Sequence, residues 1–298
     1  QSGTGMSVRL SSFSFRISPK GTVFGSDEDL CFQQRLLRES VTTRKISLNW
    51  HDADVSFLEA VLARGDRRLG RVLETVTVGE LLTPYAPPAD SGPLDPDGDN
   101  GLPKAARNVL RCMDLYAGPL RRYGDRIGRI KELPGDRMEC LRLTDDLTMD
   151  ILFGEPALYP RQRAVYDAAF RGERNGYDLI HWGKSMNVSS LRQRLYYHGK
   201  EIVLGGDAYA HMWETATATP CDILKVPHHA SLTRKLLRLL QPKAAVVCVA
   251  AGRPDERPHP YIVSLLKEFT EDVHFTDAVE IPGLVEPVFH TSVHIELP

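Results

Sequence analysis

Leu204-Gly205-Gly206-Asp207 and, further on, Asp222-Ile223-Leu224-Lys225-Val226-Pro227-His228-His229-Ala230-Ser231 are the two stretches on which the reading of this chain turns. Each is a short apolar run that breaks at glycine or proline and then presents acid or imidazole side chains. A strand fixes the residues just past its end at the rim of a sheet and opens them to a cleft. Metal chemistry needs that arrangement: hard and borderline ligands held rigidly, with positions left open for water. Taken singly, each signal is weak. A Gly-Asp after a strand serves most often as a turn, and a His-His pair is more often structural than ligating.

Working outward, Leu191 to Tyr197 and Glu201 to Leu204 predict a hairpin around His198-Gly199-Lys200, preceded by Asn187-Val188-Ser189-Ser190. Downstream, Leu232 to Leu240 predicts a basic amphipathic helix, and Ala244 to Val249 a fully apolar strand. Gly252-Arg253 and Pro258-His259-Pro260-Tyr261 then lead into a helix over 261–269, with strands near 273–275 and 288–295. In the first half, 8–17 alternates as one half-buried strand. Helices are expected over 27–39, 55–63, 105–116 and 162–170. Strands are expected at 45–50, 130–133, 139–143 and 149–153. The Pro-, Asp- and Gly-rich stretch at about 83–101 reads as an internal loop. Strands with interspersed helices predict a layered α/β fold.

Bulk properties set limits. The chain has 298 residues, 42% hydrophobic and 26% charged, with net charge −2. A surface driven wholesale by phosphate neutralisation is basic, so any contact with nucleic acid must rest on a local patch. The five cysteines show no CxxC pair, which predicts reduced thiols and a cytoplasmic location. No long apolar run predicts a membrane span. Residues 1–5 read as a cleavage-site remnant, and 6–298 as a single domain.

The order N-x-x-S-L, hairpin, Gly-Asp, strand, His-His-Ala-Ser, strand and His-Pro resembles the metallo-β-lactamase superfamily. Within it, the pattern is most similar to the hydrolase domain of the ComEC competence proteins. It spans roughly residues 22 to 295 and is strongest over 185 to 262. The resemblance implies an αββα four-layer sandwich, two mixed sheets between helices, shortened at its N-terminus. It implies metal-dependent hydrolysis of phosphodiesters, with nucleic acid among the substrates. Asp207, His229 and His259 take the catalytic positions. His51, Asp52, Asp54, Asp207, His228 and His229 take the metal positions. Asn187, Ser189, Ser231 and Arg253 face substrate.

One motif departs from the family. The expected H-x-H-x-D-H or H-x-D-x-D-H falls on Asn49-Trp50-His51-Asp52-Ala53-Asp54-Val55, and neither register restores it. Anchored on Asp52 and Asp54, the motif puts Trp50 and Val55 where imidazoles belong. Three outcomes stay open. His51, Asp52 and Asp54 rebuild an oxygen-rich site with Asp207 and His229, suited to Mn²⁺ or Mg²⁺ rather than Zn²⁺. A single metal persists. Or no metal binds, and the chain serves as a binding or assembly partner of another protein, or as an enzyme of metal-independent chemistry.

Overall fold

The computed structural model describes 6–10, 13–18, 21–25 and 45–47 as strands, together with 73, 77–98, 101–133, 135, 137–143, 145–153, 157–183, 190–206, 208–213, 218–227, 231–248, 258–275 and 292–295. The helices expected over 27–39 and 55–63 lie outside the described residues. The chain divides into two compact units. Gln1–Leu36, Met138–Gly154 and Leu191–Pro298 form one; Leu37–Arg137 and Glu155–Ser190 form the other. Both mix helices with sheet, and the fold is mixed α/β with a large mixed sheet.

The first unit holds two sheets. In one, β1 (Met6–Leu10), β2 (Phe13–Ser18) and β3 (Gly21–Gly25) run as an antiparallel meander, and β14 (Ser292–Ile295) pairs with β3. Where alternation reads as one strand over 8–17, two antiparallel strands pair, with Leu10 opposite Phe13. A period of two runs through both strands, so the pattern alone does not separate them.

The other sheet has seven strands: β7 (Glu139–Arg142), β8 (Leu147–Phe153), β9 (Leu191–Tyr197), β10 (Lys200–Leu204), β11 (Ile223–Lys225), β12 (Ala244–Val247) and β13 (Asp272–Phe275). They lie in the order β13-β12-β11-β10-β9-β8-β7. β10 to β13 are parallel, and β7 to β10 are antiparallel in succession. All four residues of β12 are buried, as expected of an interior parallel strand. The predicted hairpin is present. Tyr197 pairs with Lys200, and the two residues between, His198 (φ 48°) and Gly199 (φ 75°), both take left-handed backbone. That is the turn whose twist matches the strands, and glycine bears it without strain.

Two helices of this unit cover apolar surface. α3 (Arg234–Leu240) starts on Thr233, whose side chain accepts from the Leu236 N–H at 3.1 Å, and it buries Leu236, Leu237 and Leu240. α4 (Pro260–Lys267) starts with proline in its first turn, where the missing N–H costs nothing.

The second unit holds a parallel sheet of β4 (Lys45–Ser47), β5 (Glu80–Thr83) and β6 (Ile130–Glu132) in that order. β5, Glu-Leu-Leu-Thr, is too short to announce itself by period. α1 (Lys104–Arg122) runs past the expected end at Tyr116 and through Pro119. Its buried positions, 106, 109, 110, 113, 117 and 120, follow helical spacing, and burying Ala117 and Leu120 carries the helix beyond a residue that ordinarily stops one. α2 (Tyr159–Phe170) follows, and then a π-helical turn at Leu179–Gly183. Gln162 and Tyr166 of α2 donate to the carbonyls of Trp182 (3.3 Å) and Gly183 (3.2 Å), holding that turn. The loop expected at about 83–101 is irregular, as read, yet anchored: Tyr85 and Leu94 are buried with Val109, Leu110, Met113, Tyr166 and Leu179.

Candidate active site at the rim of the parallel strands

Parallel strands put all their carboxyl ends on one edge, and open α/β sheets bind ligands past that edge. Here Leu204, Lys225, Val246 and His274 form one row across β10, β11, β12 and β13. The two stretches that decide the reading leave the sheet from the first two of these strands.

The described residues of the two loops are fastened to one another. The Gly205 N–H donates to the Lys225 carbonyl at 3.2 Å. A Cβ on Gly205 would sit 2.6 Å from the Pro227 Cβ, so only glycine allows the loops this close. Gly206 has left-handed backbone (φ 52°), and its carbonyl accepts from the Lys225 ammonium at 3.2 Å. The Ala210 N–H donates to Ser231 Oγ at 3.2 Å. The Ser231 N–H donates to the Pro227 carbonyl at 2.8 Å. Asp207 is therefore flanked by Gly206 and the buried Ala208, and His228-His229 by Pro227 and Ser231.

Asp207, His228 and His229 themselves lie outside the described residues, as do His51, Asp52, Asp54, Asn187, Ser189 and Arg253. Ser231 and His259 are described. Ser231 Oγ spends an acceptor site on Ala210 and keeps its hydroxyl proton to donate. His259 is exposed and caps α4, its Nδ1 accepting from the Tyr261 N–H at 3.2 Å. Its Nε2 is the atom left for other work. Among the described residues, no three His, Cys, Asp or Glu side chains are grouped to hold a metal ion. In residue type alone, Asp207, His228 and His229 are one carboxylate and two imidazoles, a donor mixture that suits Zn²⁺ or Mn²⁺.

The described arginines at 121–129 and in the later half bond mostly within the protein. Arg121 pairs with Asp114 at 2.7 Å, Arg126 donates to the Leu73 carbonyl at 2.6 Å, and Arg129 lies 3.8 Å from Glu80. Arg194 bonds Glu201 and the carbonyls of Thr219 (2.6 Å) and Pro220 (3.0 Å). Arg234 pairs with Glu268. Arg192 is 7% exposed and lies over the buried Trp213 ring at 5.4 Å. Of the aromatics that could stack bases, Trp213 is core, and Tyr196 donates to Asp150 at 3.0 Å. Tyr209 is exposed beside His211.

Sequence reasoning did not single out Lys225, which is 6% exposed. The available signal was a lone cation inside the apolar run Ile223-Leu224-Lys225-Val226.

The parallel sheet of the second unit has its own rim. Thr83 and Glu132 pair at the ends of β5 and β6. Tyr116 donates to the Tyr85 carbonyl at 2.8 Å and contacts the Thr83 hydroxyl. Tyr159 donates to the Pro84 carbonyl, and Tyr85 to Asp167 at 3.0 Å. Glu132 accepts from the Ala86 N–H at 3.0 Å and pairs with Arg163 at 2.6 Å. Burial is the main reason these three phenols are held protonated well above their ordinary range. The charge of Asp167 adds to it for Tyr85, and that of Glu132 for Tyr159 and Tyr116.

Of the described cysteines, Cys112, Cys140, Cys221 and Cys248 form no disulfide, and burial pushes the Cys221 thiol up to about 12. Among the described residues, no helix is long and apolar enough to cross a membrane.

No family model matches the chain, and no curated protein matches it. Among solved structures, the chain is similar to the metallo-β-lactamase fold protein YhfI from Bacillus subtilis. The identity is 10%, the match covers 90% of this chain and 89% of that one, and the TM-score is 0.40.

Proposed function

We propose that the chain is a metal-dependent hydrolase of the metallo-β-lactamase type, acting on phosphodiesters at the rim past β10 and β11. One observation carries the reading. The segments on either side of Asp207 and of His228-His229 are drawn together by the Gly205–Pro227 approach and the Ala210–Ser231 bond. The contact between these two loops supports the reading.

Asp207, His228 and His229 would hold a divalent ion, Zn²⁺ or Mn²⁺. Such an ion, when bound, acidifies water and withdraws charge from a phosphoryl oxygen. The remaining steps belong to the chain. Arg253 supplies a planar fork of donors for phosphate oxygens. Ser231 donates its free hydroxyl proton to the substrate. His259, with Nδ1 occupied by the α4 cap, offers Nε2 to the leaving oxygen.

The second reading, an inactive relative that binds a protein partner, draws support from Trp50 and Val55 at the imidazole positions. Metal content separates the two. Protein purified without chelator is expected to carry near-stoichiometric Zn or Mn, lost in both Asp207→Ala and His229→Ala, and to cleave bis(p-nitrophenyl) phosphate. Absence of metal, with no thermal shift on adding Mn²⁺ or Zn²⁺, defeats the hydrolase and favours the partner.

A further inference from the structure

Between α2 and the chain that returns past it, the second unit holds a groove of about 370 Å³. Small-molecule sites fall in a range of roughly 300–1,000 Å³. One side of the groove is a strip of α2. Its positions 161, 164, 165 and 168 follow helical spacing, beside the buried face that carries Gln162 and Tyr166. Alanine at 164 and 168 keeps that strip low, which leaves the groove open. The other side runs from Glu173 and Asn175, through a one-turn helix ending at Asp178, to Leu179 and Trp182 of the π-helical turn.

Bonds within the unit fix both sides. The Glu173 N–H donates to the Ala168 carbonyl at 2.9 Å. Gln162 and Tyr166 hold the carbonyls of Trp182 and Gly183. Asn175 Oδ1 accepts from the N–H groups of Tyr177 (2.9 Å) and Asp178 (3.3 Å), setting the turn between. A cleft already in shape costs a ligand little ordering.

The lining is mostly apolar, and two charges in it are left for a ligand. Arg161 is exposed and lays its guanidinium over the Trp182 ring, 5.1 Å from the centroid. Stacking occupies the face of the guanidinium and leaves its in-plane N–H donors to a carboxylate. Asp178 is half-buried, and among the described residues its carboxylate has no hydrogen-bond or ion-pair partner. The other acid of the lining, Glu173, is already held by Arg171 at 3.0 and 3.2 Å. Asp178 precedes Trp182 by about one helical turn, ~6 Å of axis. The cation over Trp182 and the free carboxylate therefore stand at separate points of the groove.

We propose that this groove binds a small zwitterion, with its carboxylate on Arg161, its amine on Asp178 and an apolar chain between them lying along Ala164 and Leu179. The site lies wholly within the second unit and does not rest on the hydrolase reading.

The test titrates the full chain with 6-aminohexanoate, hexanoate and hexylamine, followed by saturation-transfer NMR of each probe. Wild type, Arg161→Gln, Asp178→Asn and Ala164→Leu are compared, with the thermal midpoint of each. Wild type is expected to bind 6-aminohexanoate saturably and about tenfold more tightly than either single-ended probe, the factor that one charge-assisted contact supplies. Arg161→Gln should weaken 6-aminohexanoate and hexanoate about tenfold and leave hexylamine unchanged. Asp178→Asn should weaken 6-aminohexanoate and hexylamine and leave hexanoate unchanged. Ala164→Leu fills the strip from an exposed position and should abolish binding of all three with the midpoint unchanged. No saturable binding by wild type, or equal affinity for the three probes, overturns the proposal. So does binding that ignores Ala164→Leu, since the probe then sits elsewhere. Loss of every probe in both charge variants, with lowered midpoints, assigns Arg161 and Asp178 to the fold and overturns it too.

Discussion

Each unit of this protein contains parallel strands, and the two carboxyl rims are built to different ends. Past β5 and β6 the polar groups face inward on one another. Tyr85, Tyr116, Tyr159, Glu132, Arg163 and Asp167 fasten the backbone of 84–86 and each other. Past β10 and β11 the polar groups fasten one loop to the next. Lys225, Ser231 and the bare Cα of Gly205 hold the described parts of two loops together. The same topological position ties a backbone segment down in one unit and joins two loops in the other.

The sharpest way to break this contrast is at Tyr85. Tyr85→Ala is expected to lower the unfolding free energy of its unit by about 3–5 kcal/mol, the cost of truncating a buried aromatic. Urea denaturation measures it. Tyr85→Phe removes only the bond to Asp167 and should cost about 1 kcal/mol. A Tyr85→Phe protein that keeps its stability but loses phosphodiester cleavage would mean that the tyrosine rim is itself functional.

A smaller effect is expected at the open rim. Gly205→Ala pushes a methyl group against Pro227 and should cost about 1–3 kcal/mol, as overpacking does. The loops must part to accommodate it, so metal uptake should fall as well. Gly205→Ala with unchanged stability and unchanged metal content would show that the contact of the two loops matters to neither.

The smallest effect lies at the opposite, amino edge of the same strands. Asp222 accepts from the Lys243 ammonium at 2.7 Å and the Glu201 N–H at 2.8 Å. Burial opposes its charge, yet those two bonds and the nearby lysines hold the carboxyl below its usual range. A carboxyl depressed in the folded state adds stability that is fully present above its unfolded pKa, about 3.9, and is lost as pH falls through the folded value. Asp222→Asn should therefore cost about 1 kcal/mol at pH 7, and the gap from wild type should close below pH 4. A gap that stays constant across that range would assign the loss to something other than charge.

Much of the architecture was legible in residue pattern. The hairpin at His198-Gly199, the helix after Thr233, the apolar strand from Ala244 and the helix after Pro260 stand where spacing and capping residues put them. These are local decisions, fixed by backbone preference and by the period of burial over a few residues. Pattern failed where an element was short or its partner distant. β5 has four residues, 8–17 reads as one strand where two strands pair, and α1 outlasts Pro119 because of what it packs on. The π-helical turn at 179–183 is held by side chains of α2, which no window on its own sequence contains.

The sequence by itself determined the order of apolar runs, the glycines and the acid and imidazole residues that follow them, because each depends on neighbours in the chain. The family resemblance carried by that order implied Asp207, His228, His229, Ser231 and His259 as candidates. Only the tertiary structure decided that most of the arginines serve carbonyls and carboxylates inside their own unit, that Gly205 is a contact with Pro227 as well as a turn, and that Lys225 is buried against Gly206. Burial and hydrogen bonding join residues far apart in sequence, and a lone lysine in an apolar run shows a partner only when the strands beside it are known.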